Sequence, residues 1–147
     1  MSETAVRVVT TDAEREDAFA VRRAVFVDEQ GVDEELEWDE YDEPDANASH
    51  FVGYRDGEAV GAARIRAYEP GVGKVERVAV LESARGEGWG KRLMEVLEAE
   101  ARDAGYDSLY LHGQTSAEGF YHGLGYETTS DVFDEAGIPH VVMEKSL

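Results

Sequence analysis

The segment VAVLESARGEGWGKRLMEVLEAEA, from Val78 to Ala101, constrains the fold more strongly than any other part of the chain. Three glycines, Gly86, Gly88 and Gly90, lie directly before a long amphipathic helical pattern. Glycine permits positive φ angles and lets a ligand approach the main chain closely. A helix N-terminus also leaves backbone N–H groups unpaired at the positive end of the helix dipole. The segment therefore predicts a phosphate-binding turn between a strand and a helix, the alternative being a loop that only turns the chain.

Two familiar phosphate motifs do not fit this segment. A P-loop needs a glycine where Arg85 stands, and a Ser or Thr where Arg92 follows the Gly-Lys pair. A dinucleotide-binding fingerprint fails as well, because position 91 is Lys rather than part of a G-x-G-x-x-G spacing. Lys91 and Arg92 add positive charge to the first helical turn, in a chain that is otherwise acidic. This local exception favours an anionic ligand.

Charge and composition narrow the class of protein. The 147 residues fit one domain, residues 1–147, with no apolar run of bilayer length and no secretory leader, so we expect a cytoplasmic protein without a membrane partner. The lack of cysteine excludes disulfides, thiolate metal sites and cysteine nucleophiles. With 33 acidic and 14 basic residues, the net charge is −19, so nucleic acid is not an expected partner. The acidity is spread along the chain, which is typical of halophilic proteins; attraction of a cationic substrate is the alternative.

Hydrophobic patterns predict hairpins first and alternating strands and helices later. The Asp56-Gly57 pair is a hairpin signal, and Gly105 is placed to end the helix that follows the glycine segment. The acidic segment 28–45 is interpreted as a short helix plus loop, a solvated face from which a few residues enter the core. The predicted strands cover 6–10, 50–54, 59–67, 74–81, 108–112, 126–128 and 140–144, with loops at 70–73 and 137–139. The predicted helices cover 11–27, 90–104 and a short stretch from 115 to about 123, the first and third opened by capping boxes at Thr11–Glu14 and Thr115–Glu118. This order predicts an α/β or α+β domain with a mixed sheet.

The pattern R-x-x-G-x-G, formed by Arg85, Gly88 and Gly90 after the strand R-V-A-V, resembles the acetyl-coenzyme A motif of the GCN5-related N-acetyltransferase (GNAT) family. The motif F-Y-H-G-L-G-Y at 120–126 follows in the family order. V-F-V-D-E-Q at 25–30 and G-I-P-H at 137–140 resemble a small prokaryotic subgroup. The resemblance implies a mostly antiparallel sheet with one splayed parallel strand pair, flanked by helices. It also implies transfer of an acetyl group from acetyl-CoA to an amine by direct attack in a ternary complex.

The resemblance assigns the cofactor to two stretches of main chain. In the family, backbone N–H groups of the glycine segment hold the pyrophosphate, and the pantetheine arm pairs with the preceding strand inside the gap beside strand 108–112. Many relatives carry Asn where this chain has Gln114, so that contact to pantetheine differs here. The implied cofactor residues are Val78, Ala79, Val80, Arg85, Gly86, Glu87, Gly88, Trp89, Gly90, Lys91, Gln114 and Tyr121.

Direct acyl transfer needs a proton acceptor, an oxyanion donor and an acid for the leaving sulfur. The resemblance gives the oxyanion to the Val78 N–H and the acid role to Tyr121, whose other interpretation is a core aromatic residue. Two residues are candidates for the base. Glu76 is either that base or an exposed residue of an alternating strand, and His112 is either the base or a merely hydrogen-bonded side chain.

Four further residues are candidates for the acceptor pocket, namely Glu29, Gln30, His50 and His140. Single histidines at strand ends are usually structural, and none of the four histidines has metal-ligand spacing, so no metal is expected. The predicted acceptor is an amine of a small molecule or of a protein. A non-catalytic acyl-CoA-binding or sensing domain and a binding module for another phosphorylated ligand are the alternative functions. Dimers are common in the family, so a homodimer is a further expectation.

Overall fold

A single eight-stranded sheet organises the computed structural model, which describes residues 3–147. The strands are β1 (Ala5–Val8), β2 (Ala48–Arg55), β3 (Glu58–Glu69), β4 (Val72–Val80), β5 (Ser108–Gln114), β6 (Glu127–Thr128), β7 (Phe133–Glu135) and β8 (Ile138–Ser146). The helices are α1 (Asp12–Arg22), which continues as a π-helical segment over Arg23–Glu29, α2 (Glu34–Glu37), α3 (Trp89–Asp103) and α4 (Glu118–Gly123). Short 3₁₀ turns cover Glu40–Asp42, Glu82–Ala84 and Thr115–Ala117.

The sheet order is β1-β2-β3-β4-β5-β8-β6, with β7 paired to β8. Every strand pair is antiparallel except β4 and β5, which run parallel from Val72 beside Ser108 to Val75 beside Leu111. Both strands continue beyond that last pair without bonding to each other, so a gap opens between them. This confirms the predicted mixed, mostly antiparallel sheet with a splayed parallel pair.

A β-bulge lies at the start of the gap. The β3–β4 register is interrupted between the pairs Arg64–Glu76 and Ala62–Ala79, and Arg77 adopts a φ of 58°. Positive φ is strained for a non-glycine residue. The extra residue reverses the faces of β4, since Val75 packs with α3 before the bulge and Val78 does so after it.

Helices cover both faces of the sheet. The predicted stripe of α3, including Leu93, Leu97 and Ala101, is buried against Phe51, Ile65, Leu109 and Met143. On the opposite face, Ala18, Val21 and Val25 of the α1 segment pack on Val52, Ala62 and Ala79. The sheet is therefore the middle layer, and the splayed gap lies between the two helical layers. No helix within residues 3–147 is long and apolar enough to span a bilayer.

One predicted capping box is confirmed and the other is wrong. Thr11 Oγ1 accepts a hydrogen bond from the Glu14 N–H at 3.1 Å, and the Thr11 N–H donates to Glu14 at 3.1 Å. At the second box, Thr115–Ala117 forms a 3₁₀ turn and no side chain caps α4. The Glu118 carboxylate accepts from the Thr128 hydroxyl instead, which ties α4 to β6.

Several boundaries differ from the prediction because tight turns replace loops. The hairpin at Asp56-Gly57 is confirmed, with both residues at positive φ. The predicted loop at 70–73 is a two-residue turn, since β4 begins at Val72. The predicted loop at 137–139 is wrong, because the turn is Ala136-Gly137 and joins β8 to the unpredicted strand β7. This last hairpin carries side chains into the gap.

Candidate active site

The gap between β4 and β5 opens into a cavity of about 1150 Å³. Its walls come from the end of the π-helical segment, the β4 residues 74–80, the loop 84–91, the end of β5 and the turn after β7. α4 contributes Phe120 and Tyr121. The cavity therefore contacts both the predicted cofactor segment and all three predicted catalytic residues.

Unpaired main-chain N–H groups dominate the cofactor end of the cavity. Within residues 3–147, no protein acceptor lies within hydrogen-bond distance of the N–H groups from Gly86 to Lys91, and the first bond of the helix runs from Arg92 N to Gly88 O at 3.1 Å. Gly86 and Gly88 have φ angles of 81° and 85°. A Cβ at either position would meet no atom within 4 Å, so these glycines are required by backbone conformation and not by packing. Such a run of donors at a helix N-terminus suits a phosphate group.

Two side chains of this loop, Glu87 and Trp89, brace the main chain. Trp89 is buried, and its indole N–H donates to the Glu87 carboxylate at 3.1 Å. The same carboxylate accepts from Arg55 at 2.9 Å. A Cβ on Gly90 would lie 3.0 Å from the Phe120 ring, so this glycine allows close packing of α4 on α3. The sequence-predicted residues Glu87 and Trp89 thus support the loop through their side chains.

Two adjacent residues bridge the cavity from the end of the π-helical segment. Glu29 accepts hydrogen bonds from both terminal nitrogens of Arg85, at 2.6 and 2.7 Å, and this hydrogen-bonded ion pair lowers the pKa of Glu29. The side-chain amides of Gln30 and Gln114 are joined by bonds of 2.9 and 3.4 Å. π-helical turns are often found at functional sites. The structure therefore places Glu29 and Gln30 against cofactor-side residues.

The end of β4 directs main-chain polar groups into the gap. The Leu81 N–H donates to Val60 O on β3 at 2.8 Å. Successive residues of a strand direct their N–H groups to opposite sides, so the Val80 and Val78 N–H groups face the gap. The Arg85 Nε already donates to Val80 O at 3.2 Å from the same side. An extended ligand in the gap can pair with this edge as a further strand does, while Ala79 stays buried under α1.

Tyr121 lies at the inner wall of the cavity. Its side chain is buried, with 7% of the residue surface exposed, and its ring packs edge-on against Phe120 and Tyr126 at 5.0 and 5.7 Å. Burial raises the pKa of Tyr121, so the hydroxyl keeps its proton. No protein hydrogen-bond partner for this hydroxyl is found in residues 3–147. Tyr121 is therefore a core aromatic residue that also lines the cavity, and its role as the acid stays a prediction.

Glu76 is not an exposed strand residue. Its carboxylate accepts hydrogen bonds from Arg64 and Arg66, each at 2.8 Å, and lies 3.6 Å from Lys74. Burial would raise the pKa of Glu76, but Arg64 and its other cationic neighbours lower it to about 2. A carboxylate held in this state is a poor proton acceptor at neutral pH. The geometry therefore argues against both interpretations of Glu76 from sequence.

Most of the acidic segment 28–45 is exposed, as predicted, but three of its carboxylates neutralise buried arginines. Arg22 and Arg64 have 1% and 0% of their surfaces exposed. Arg22 donates to Glu37 at 2.9 Å and to Asp42 at 2.6 and 3.0 Å. Arg64 donates to Asp39 at 2.7 and 2.9 Å and to Asp42 at 3.0 Å. Despite burial, the Arg22 contact lowers the pKa of Asp42 to about 2.

This buried ionic network, defined by Arg22, Glu37, Asp39, Asp42, Arg64 and Glu76, supports the wall of the cavity opposite the cofactor loop. Arg77 at the β-bulge joins it by donating to the Glu37 carbonyl at 3.1 Å. Sequence reasoning missed the two buried arginines. The available signal was that Arg22 lies on the same apolar helix stripe as Ala18, Val21 and Val25.

His50 lies in this network and not in the cavity, so its predicted acceptor role is wrong. The residue is 4% exposed, and its Nε2 donates to the Tyr41 carbonyl at 3.1 Å. Its Nδ1 is buried without a partner. Burial lowers the pKa of His50 to about 4, so the ring is neutral at physiological pH.

The other two predicted histidines do line the cavity, and both approach one carboxylate that sequence reasoning missed. His112 Nδ1 lies 2.8 Å from Glu135 Oε1, and His140 Nε2 lies 3.6 Å from Glu135 Oε2. His112 Nε2 lies 3.1 Å from the Tyr110 hydroxyl. No sequence signal linked Glu135 to His112, because β7 itself was not predicted.

The family profile for the GNAT acetyltransferase domain matches residues 9–147. The chain belongs to the GNAT family. It is therefore an acyltransferase. The N-acetyltransferase YjcF of Bacillus subtilis (strain 168), named uncharacterized, is 41% identical over 139 residues, which cover 94% of this chain and 96% of that protein.

Solved structures of acyltransferases agree with this family assignment. The crystal structure of an acyl-CoA N-acyltransferase from Pseudomonas aeruginosa has a TM-score of 0.82 and 26% identity, covering 99% of each chain. An aminoglycoside 6′-N-acetyltransferase complexed with coenzyme A shares the fold, with a TM-score of 0.74, 15% identity and 96% of each chain covered. Within residues 3–147, no group of three or more His, Asp or Glu side chains is placed to hold a metal ion.

Proposed function

We propose that this enzyme transfers the acetyl group of acetyl-CoA to a primary amine of a small molecule or protein, by direct attack in a ternary complex. The observation that carries the proposal is the continuity of two features in one cavity. Unpaired N–H groups from Gly86 to Lys91 lead directly to the exposed main-chain edge of β4. A diphosphate fits the first feature and an extended amide-containing arm fits the second.

Cofactor binding would replace Glu29 with the coenzyme's pyrophosphate as the ion-pair partner of Arg85. In the free protein the guanidinium is paired with Glu29, and both side chains are partly exposed. The coenzyme's pyrophosphate is a stronger anionic partner in the same place, because its oxygens also accept hydrogen bonds from the N–H groups of the loop. Release of Glu29 would leave its carboxylate unpaired in the cavity, where the negative charge favours an incoming ammonium group.

The reaction itself uses groups around the point where the strands separate. The amine nitrogen attacks the thioester carbonyl carbon, and the Val78 N–H stabilises the oxyanion that forms. Collapse of this intermediate breaks the carbon–sulfur bond, and the Tyr121 hydroxyl donates its proton to the leaving sulfur. His112 accepts the proton that the amine nitrogen loses. Its ring is the remaining candidate base, since Glu76 is held in ion pairs.

Incubation with acetyl-CoA and a panel of primary amines, monitored by release of free thiol and by mass spectrometry of the amine, tests the proposal. We expect at least one amine to gain an acetyl group. Tyr121→Phe should lower kcat about 100-fold with an unchanged Kd for coenzyme A, because it removes only the proton donor. Tyr106→Phe is the control variant, since Tyr106 lies outside the cavity lining.

Two other results would support a function other than acetyl transfer. Tight binding of acetyl-CoA, with no acetylated amine across the panel and no effect of Tyr121→Phe on binding, would identify a non-catalytic acyl-CoA-sensing domain. Competition of simple nucleotides with coenzyme A at equal strength would indicate a site for a different phosphorylated ligand.

A further inference from the structure

Two side chains occupy the point where β4 and β5 separate, on the face covered by the α1 segment. Parallel pairing ends at Val75 beside Leu111, and both of these residues face the α3 layer. The next residue on each strand, Glu76 and His112, therefore points to the opposite face. Glu76 already holds Arg64, Arg66 and Lys74, so His112 is the titratable group at this point without a cationic partner.

The proton position on the His112 ring follows from its neighbours. A carboxylate can only accept a hydrogen bond, so the 2.8 Å contact with Glu135 places the ring proton on Nδ1. In the neutral ring, Nε2 then keeps its lone pair and accepts from the Tyr110 hydroxyl at 3.1 Å. This arrangement presents a basic nitrogen on the side of the ring opposite Glu135.

Glu135 is itself held in a fixed place by the β7–β8 hairpin. The turn at Ala136-Gly137, with φ angles of 53° and 77°, sets Glu135 opposite Ile138. Phe133, two residues earlier, packs edge-on against His112 at 5.1 Å and stacks on His140 at 6.1 Å. His140 Nδ1 donates to the Ile138 carbonyl at 2.7 Å, which fixes the second ring beside the same carboxylate.

We propose that Glu135 is a positioning residue for the acyl transfer, and this inference rests on the proposed function. Its carboxylate keeps His112 in the Nδ1–H form and stabilises the imidazolium that forms when Nε2 accepts a proton. In that step an N–H bond of the amine breaks and the Nε2–H bond forms. The Tyr110 hydroxyl, which donates to Nε2 in the structure, must rotate away for this transfer, while its ring stays stacked on that of Tyr68 at 4.6 Å.

Kinetics of His112→Ala, Glu135→Ala and the double variant test the coupling of the two residues. Glu135→Ala should lower kcat about 10- to 100-fold, with KM for the amine and Kd for coenzyme A changed less than about twofold. In the His112→Ala background, the same substitution should have no further effect on kcat, because its role acts through the ring. The matched control is Asp134→Asn, which removes one charge from the same short strand and should leave kcat unchanged.

¹⁵N NMR of the histidine ring gives a readout that does not need activity. We expect His112 to be in the Nδ1–H form in the native protein, with the Nε2–H form appearing in Glu135→Ala. Equal kcat losses from Glu135→Ala in the native and His112→Ala backgrounds, or an unchanged ring form in Glu135→Ala, would overturn the inference. A native enzyme that acetylates no amine would contradict the proposed function, while the ring form would still report on Glu135.

Discussion

The two sides of the cavity are built on opposite principles. The cofactor side uses main-chain N–H groups between Gly86 and Lys91, and the side chains of Glu87 and Trp89 brace the loop that carries them. The opposite side uses charged side chains, in a buried network centred on Arg22 and Arg64. A main-chain site needs glycine at a few backbone positions, whereas a side-chain site needs several distant residues to converge.

Because of this difference, mutations on the two sides of the cavity should have different effects. Loss of a backbone conformation on the cofactor side should affect ligand affinity more than folding, because the loop is exposed and touches few core residues. Loss of a charge from the buried network should affect folding first, because its partners stay buried with fewer opposite charges to offset the cost of burial. The following predictions test that separation.

Arg64→Ala should produce the largest effect, a loss of about 3 to 5 kcal/mol in the free energy of unfolding. The substitution leaves Asp39, Asp42 and Glu76 without their shared cation. Urea denaturation measures the loss. The control is Arg23→Ala, which removes an exposed ion pair with Glu34 and should cost less than about 1 kcal/mol. Similar losses for both variants would contradict the prediction that the buried network contributes more to stability than an exposed ion pair.

His50 should make the free energy of unfolding depend on pH between about 6.5 and 4. Its pKa is lowered from 6.5 to about 4, so the unfolded chain binds the proton more readily than the folded one. The resulting stability is fully present above about pH 6.5 and is lost as the pH falls toward 4, by about 2 to 3 kcal/mol. Asp42 and Glu76 lose their contributions at lower pH, as it falls from their ordinary values of 3.8 and 4.5 toward their lowered pKa of about 2.

Urea denaturation across this range, compared between the native chain and His50→Gln, measures the effect. Glutamine can still donate to the Tyr41 carbonyl, so the variant should lose the pH slope between 6.5 and 4 while remaining folded. His122→Gln, at an exposed position, is the control. If the pH dependence of the free energy of unfolding is unchanged in His50→Gln, a group other than His50 causes it.

Gly88→Ala should have the smallest effect on folding and a specific effect on the ligand. An L-residue in the left-handed region costs about 1 to 2 kcal/mol, and relaxation of the turn should weaken coenzyme A binding about tenfold. Gly105, at the other end of α3, is the matched control because it also has positive φ and open space around its Cβ. Gly105→Ala should cost similar stability without changing affinity. Calorimetric titration that finds equal affinity losses in both variants would contradict the main-chain site.

The same contrast explains which parts of the molecule the sequence predicts. The glycine turn and the Asp56-Gly57 hairpin follow from local backbone requirements, which a few adjacent residues determine. The splayed strand pair follows from the family resemblance. The buried network does not follow, because Arg22 and Arg64 meet Asp42 only after the sheet and the acidic segment have packed.

Two other features also depend on tertiary contacts. The π-helical turn over 23–29 has no distinct residue pattern, so the sequence predicts a longer α-helix in its place. Glu135 reaches His112 across 23 positions through a three-residue strand, which is too short to produce a recognisable alternation. Residues that act through such long-range pairing require the register of the sheet, and that register is set by the whole fold.

Titration of coenzyme A into the ¹⁵N-labelled protein, followed by amide NMR, tests the central claim most directly. The account predicts that the largest shifts belong to the backbone amides of Gly86 to Lys91 and to those of Val78 and Val80. Amides of the buried network around Arg22 and Arg64 should move little. Shifts centred on another surface, with the Gly86–Lys91 amides unchanged at saturation, would contradict it.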